Sequence, residues 1–319
     1  MNRLSGQLMG RAAELLPWMA DDAVTDILIN GTQSLFVERA GKLQSEPNPF
    51  PDRLALADFI ERLSVPTGRR IDAAQPFLDG RLVDGSRFHV ILPPLAPDGP
   101  IISIRKLKAP GDAKLRPFAN PEISLWLEDQ VKARRNILIA GGTGTGKTTL
   151  LTQLLSTVSE GERIAVIEEA MEIRTGHPHA IHLEARPASP DGKGEVTLRT
   201  LLRNALRMRP DRIVLGECRG NEVFEMLQAM NTGHPGSLCT VHANGALDAL
   251  RRLEALMLFS AHNISLRAAR EWIAAGIQLV VFLQRKESHR FIDEVLSVNG
   301  LEGEVFRITP IVRAGARHH

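Results

Sequence analysis

The densest chemical content of the chain lies in one run, Gly141-Gly142-Thr143-Gly144-Thr145-Gly146-Lys147-Thr148. Its glycines let the backbone curl so that successive N–H groups converge on an anion. A helix beginning near Lys147 would add its positive end at the same point. The spacing is that of a phosphate-cradling loop. Gly142, Thr143, Gly144, Thr145, Gly146 and Thr149 would bind the nucleotide, Lys147 would reach the β- and γ-phosphates, and the Thr148 hydroxyl would bind Mg²⁺. An apolar strand over Asn136–Ala140 precedes the run, and Leu150, Leu151, Leu154, Leu155 and Val158 repeat at helical spacing after it.

Such a loop needs carboxylates to handle the metal and the attacking water. Arg212-Ile213-Val214-Leu215-Gly216-Glu217 is an apolar strand that ends in an acid. Gly216 stands where an aspartate is usual, which leaves Glu217 to orient and polarise a water molecule. Ile164–Ile167 leads likewise into Glu168 and Glu169. Open parallel sheets place ligands at the carboxyl ends of their strands, so both acidic clusters should face one crevice. If the strand continues, Glu168 and Glu169 point to opposite sides. Glu168 is the preferred catalytic candidate, with a possible Mg²⁺ contact through water.

Histidines fall near the same crevice. His234 precedes the apolar run Leu238–Val241, and His242 ends it, where it could sense a γ-phosphate or couple neighbouring elements. His177, His179 and His182 sit in a loop without nearby ligand partners, which argues against a metal site, and His318 and His319 read as a tail.

The elements that must position these groups fall into two textures. In the first half, Asp26–Gly31 and Leu35–Arg39 read as strands joined by a glycine turn, followed by a turn at Ala40-Gly41-Lys42. Residues 52–63 have helical spacing, Arg81–Leu92 reads as a hairpin turning at Asp84-Gly85, and Ile101–Lys106 is a further strand. A Pro-, Gly- and charge-rich linker is expected over residues 109–120, between an N-terminal α+β domain (1–108) and a C-terminal domain (121–319). The second half alternates short apolar runs with helical stretches. That alternation predicts an α/β fold with a mainly parallel sheet covered on both faces.

Composition sets outer limits. Hydrophobic content of 43% with 24% charged residues is that of a folded chain, and a net charge of +2 makes no case for nucleic acid as main partner. The cysteines, Cys218 and Cys239, sit in apolar runs, fit a cytoplasmic compartment and are too few for a four-cysteine zinc element. No signal peptide is visible, and Ala274–Leu283 is too short to span a bilayer, so membrane association is expected to be peripheral.

Taken in order, the boxes resemble those of the secretion-superfamily ATPases of type II and type IV secretion and pilus assembly. They are the phosphate loop, the acidic box Ile167-Glu168-Glu169-Ala170-Met171-Glu172, the stretch Arg207 to Gly220, and Val241-His242-Ala243-Asn244. Val24–Gly31, Gly68–Asp72, Asp84–Arg87, Ile91–Pro100 and Ile104–Lys106 are most similar to the CpaF/TadA subfamily, which powers tight-adherence (Flp) pili. VirB11-like ATPases of type IV secretion are the next resemblance. The missing zinc element argues against the type II branch.

The resemblance implies a RecA-like P-loop domain behind a PAS-like N-terminal domain. It also implies a homohexamer that hydrolyses ATP and docks on an inner-membrane platform. Arg87 and Arg105 match N-terminal arginines that reach the phosphates, and Arg203, Arg207 and Arg209 are candidates for interface or phosphate contacts. Two departures stand out. Glu168-Glu169 replaces the more frequent Glu-Asp, and the chain begins almost directly at the N-terminal domain, without the helical extension of many CpaF-like proteins.

Overall fold

The computed structural model describes residues 12–39, 41–107, 118, 121–189, 192–260, 264–286 and 289–313. Apart from Phe118, the expected linker at 109–120 lies outside these residues, as do His318 and His319. The chain divides into two compact units, Met1–Gly111 and Asp112–His319.

The first unit is built on an antiparallel sheet. Its strands are β1 (Val24–Asn30), β2 (Ser34–Arg39), β3 (Lys42–Glu46), β4 (Phe77–Arg81), β5 (Arg87–Ile91) and β6 (Ile101–Arg105), in the order β3-β2-β1-β6-β5-β4. The helix Arg53–Ser64 lays Leu56, Phe59, Ile60 and Leu63, which recur at helical spacing, into the core of this unit. Asp52, which the apolar spacing includes in the helix, is instead its cap: its carboxylate accepts the Ala55 N–H at 2.9 Å. The hairpin also differs from a tight two-residue turn. Leu82 N–H donates to Ser86 O at 2.8 Å and Asp84 Oδ1 accepts the Ser86 N–H at 2.8 Å, which displaces the arms to β4 and β5.

The second unit carries an eight-stranded sheet in the order β14-β13-β12-β7-β11-β10-β8-β9. Here β7 is Ile137–Gly141, β8 Ile164–Glu168, β9 Ala180–Glu184, β10 Arg212–Cys218 and β11 Leu238–Val241. They are followed by β12 (Leu279–Lys286), β13 (His289–Glu302) and β14 (Val305–Arg313). Strands β12, β7, β11, β10, β8 and β9 pair in parallel, while β13 and β14 add an antiparallel margin that the short apolar runs did not signal. Alternate residues enter two cores. Leu138, Ala140, Ile213 and Leu215 face one, and Ile137, Ile139, Val214 and Leu238 the other. A parallel sheet buried on both faces must read as continuous apolar runs, and this one does.

One buried ion pair ties the entry of β10 to the rest. Arg212 is 1% exposed; its Nε and Nη2 donate to the two Glu162 oxygens at 2.9 Å each, and its Nη1 donates to Val131 O at 2.8 Å. Arg134 binds the same carboxylate at 2.6 Å. Removing one partner of such a pair strands a buried charge, so Glu162→Ala is expected to destabilise the protein by about 3–5 kcal/mol. Urea denaturation checks this; a midpoint equal to that of the parent would show that Arg212 finds another partner.

Candidate functional site

The phosphate loop joins β7 to the helix Lys147–Leu155. Gly144 (φ 71°) and Gly146 (φ 97°) adopt the left-handed conformation that the curl requires. At Gly146 there is also no room for a side chain, since a Cβ would stand 2.7 Å from the Phe118 ring. Lys147 is 8% exposed, and its ammonium donates to the carbonyls of Gly141 and Gly142 at 2.9 Å each. Thr145 Oγ1 donates to Gly142 O at 2.9 Å and fixes the bend. Thr148 is half-buried and Thr149 exposed on the first helical turn.

The N–H groups of that turn have no partners within the helix, and the ammonium sits at the same end. The donor set therefore fits a polyphosphate with a bound Mg²⁺. A cleft of about 460 Å³ opens beside the loop, lined by Gly142, Thr143 and Thr145 together with Asn244, Gln284 and Arg285.

Glu217 owes its position to an irregularity in β10. Leu215 pairs with Cys239 and Cys218 with Val241, so β10 spends one more residue than β11 over this interval. The result is a bulge at Gly216-Glu217. Strict alternation would send Glu217 to the side of Ile213 and Leu215, into the core; Cys218 takes that place instead. The freed carboxylate meets two partners. Its Oε1 lies 3.2 Å from His242 Nε2, and its Oε2 lies 2.7 Å from an Nη of Arg219. Burial, and after it the positive charge of Lys147, push the His242 pKa below its ordinary value. That direction favours the neutral imidazole, which would donate from Nε2–H to the carboxylate. Arg219 in turn contacts Glu169 at 2.6 Å.

The place of Gly216 follows from its neighbour. Glu168 ends β8 alongside, is 5% exposed, and accepts the N–H groups of Glu172 and Ile173 on Oε1 at 3.0 Å each. A Cβ on Gly216 would stand 2.9 Å from Glu168 Cγ, so the carboxylate of the adjacent strand occupies the space that a side chain at 216 would need. Gly216→Asp is accordingly expected to cost about 1–3 kcal/mol through overpacking. Glu168→Ala in the same chain should recover most of that loss. Thermal denaturation of the single and double variants checks this, and a Gly216→Asp protein as stable as the parent would contradict it.

The other residues marked in the sequence scatter. Arg203 joins Arg199 on the buried carboxylate of Glu225, at 3.0 and 2.7 Å, while most of its own side chain stays exposed. Arg209 takes a left-handed φ of 55° in the turn before β10. His177 Nε2 donates to Ser159 O, and His179 lies 3.0 Å from Arg163. Arg87 and Arg105 belong to the first unit, directly opposite each other across β5 and β6, with Arg81 opposite Arg87 on β4.

Sequence reasoning passed over Arg219, Arg285 and Arg290. Arg285 and Arg290 face each other across the β12–β13 hairpin. A Cβ on Gly144 would stand 3.2 Å from Arg285 Nη1, and one on Gly146 would stand 3.3 Å from Arg290 Cδ. Only the sheet order could show that this distant hairpin meets the loop.

The profile of the family described as "Type II/IV secretion system protein" matches residues 11–297. The chain belongs to the type II/IV secretion system protein family. A putative conjugal transfer protein of Mycobacterium tuberculosis is 39% identical over 96% of this chain and 89% of its own length. The conjugal transfer protein TrbB of Rhizobium radiobacter is 30% identical over 93% and 91%. Protein VirB11 of Agrobacterium fabrum is 30% identical over 84% and 86%.

Among solved structures, the Legionella pneumophila ATPase DotB aligns with TM-score 0.63 and 23% identity over 89% of this chain and 79% of that one. The pilus retraction motor PilT with bound ADP aligns with TM-score 0.59 and 19% identity over 96% and 84%. The fold is that of these ATPases, with a RecA-like P-loop domain in the second unit. The expected secretion-superfamily membership therefore holds, while these relatives carry conjugation and VirB11 names rather than tight-adherence ones.

Proposed function

We propose that this chain hydrolyses ATP with Mg²⁺ and acts as the motor of a VirB11-like type IV secretion or conjugation machine. The observation that carries the reading is the placement of Glu217. A bulge lifts it out of the core, between His242 and Arg219, at the strand ends that adjoin the phosphate loop. There it would orient a water molecule toward the γ-phosphorus and take its proton as the P–O bond to ADP breaks. Lys147 would hold the negative charge of the β- and γ-phosphates, and Thr148 with Glu168, through water, would hold Mg²⁺, whose charge offsets that of the departing ADP. For Arg87 and Arg105, register partners on neighbouring strands of the first unit, a role toward phosphate is proposed from the family resemblance alone.

The biological system follows the relatives. Conjugal transfer and VirB11 names among proteins 30–39% identical favour conjugation or type IV secretion over the Flp pilus role expected from the N-terminal motifs. No helix among the described residues is long and apolar enough to cross a membrane. A homohexamer docked on an inner-membrane platform of the machine, peripheral to the cytoplasmic face, is the arrangement we propose.

Magnesium-dependent phosphate release tests the chemistry. Deletion of the gene, scored for DNA transfer and for pilus formation, tests the system. Lost transfer with intact pili supports the conjugation reading, and lost pili with intact transfer returns the Flp reading.

A further inference from the structure

Arg219 touches both acidic clusters at the strand ends. Its two Nη atoms lie 2.7 Å from Glu217 Oε2 and 2.6 Å from Glu169 Oε2. Its backbone is held as firmly as its side chain. The N–H groups of Arg219 and Gly220 donate to Glu222 Oε1 at 2.6 and 2.8 Å, and Glu222 is 5% exposed, so the turn after β10 is tied to a buried carboxylate. An exposed ion pair alone contributes little to stability. A guanidinium anchored by its own backbone and braced against a second carboxylate can instead fix the plane of the first.

From this arrangement we infer that Arg219 is the positioning residue of the water-activating carboxylate. The inference rests on the reading of Glu217 given above. A carboxylate offers about four lone-pair sites. His242 engages one on Oε1 and Arg219 one on Oε2, so rotation about the last side-chain bond of Glu217 is blocked from both sides while lone pairs remain for water. Glu169 keeps the guanidinium from swinging away. The planar fork of arginine suits this bridge, whereas the single ammonium of lysine cannot present two fixed, diverging donors. Arg219 does not itself touch the substrate in this account; it acts through Glu217.

The test measures steady-state ATP hydrolysis and melting temperature for the full chain, with Glu217→Gln as the control. Arg219→Ala is expected to lower kcat at least tenfold with KM within about twofold, since orientation and not binding is lost. Arg219→Lys should recover only part of the rate. Added methylguanidinium should partly restore Arg219→Ala and leave Glu217→Gln unchanged. Wild-type kcat in Arg219→Ala, beside an inactive Glu217→Gln, would overturn the inference and leave the reading of Glu217 standing. A fall in kcat matched by a lower melting temperature and no rescue would also overturn it, as that marks a merely structural contact. Full activity in Glu217→Gln would remove the underlying reading instead.

Discussion

Glu217→Gln is expected to bind nucleotide with an affinity within about threefold of the parent while kcat falls by about 10²–10⁴, the range associated with loss of a positioned general base. In barrier terms this is about 3–5 kcal/mol. The amide keeps the size of the side chain and its place on the bulge but cannot take a proton from water. It also trades the ion pair with Arg219 for a weaker neutral contact. Nothing in the phosphate loop changes, so affinity should hold. A rapid-quench measurement of a single turnover, with binding followed separately, checks both halves. An unchanged rate would move the catalytic role to Glu168 or Glu169.

Lys147→Ala is expected to act on binding first. The ammonium is nearly buried at the loop, and charge-assisted hydrogen bonds from it to phosphate oxygens would be worth about 1.5–3 kcal/mol each. Its loss should weaken affinity for the triphosphate at least a hundredfold and abolish turnover. The Gly141 and Gly142 carbonyls would lose a donor, but the truncated side chain leaves room for a water molecule to replace it, so the melting temperature should stay within a few degrees. Calorimetric titration with a non-hydrolysable ATP analogue measures the effect. Affinity equal to the parent would mean that this loop is a glycine-rich turn and not a phosphate site.

Much of this was legible in the residues, and the reasons are physical. The phosphate loop is local, so its glycines, lysine and hydroxyl announce themselves within a few positions of one another. Strands β7, β8, β10, β11 and β12 were readable because burial on both faces forces unbroken apolar runs. The antiparallel margin β13–β14 was not. Ile292 and Val295 pack into one core and Leu296 and Val298 into the other, but Arg290, Asp293, Glu294 and Ser297 interrupt the apolar run. Aspartate 52 was absorbed into a helix by apolar spacing, although its chemistry is that of a cap.

In the site, Glu217 was found by its place at a strand end, but the bulge that aims it was not. Gly216 was the available signal, since an interior glycine in a strand often marks a bulge or a close approach. Here it marks both. Arginine 219 lay in view two residues beyond Glu217, yet only coordinates reveal its bridge to Glu169. The arrangement of Arg81, Arg87 and Arg105 depends on register, which no single-chain pattern supplies.

The most direct test of the central claim is steady-state ATP hydrolysis as a function of protein concentration, for the parent and Glu217→Gln, with particle mass recorded on the same samples. The account predicts magnesium-dependent turnover that rises as the chain assembles into a ring of about six subunits, and its collapse in the variant at unchanged mass. Equal turnover in the two proteins, or assembly with nucleotide but no hydrolysis in either, would contradict it.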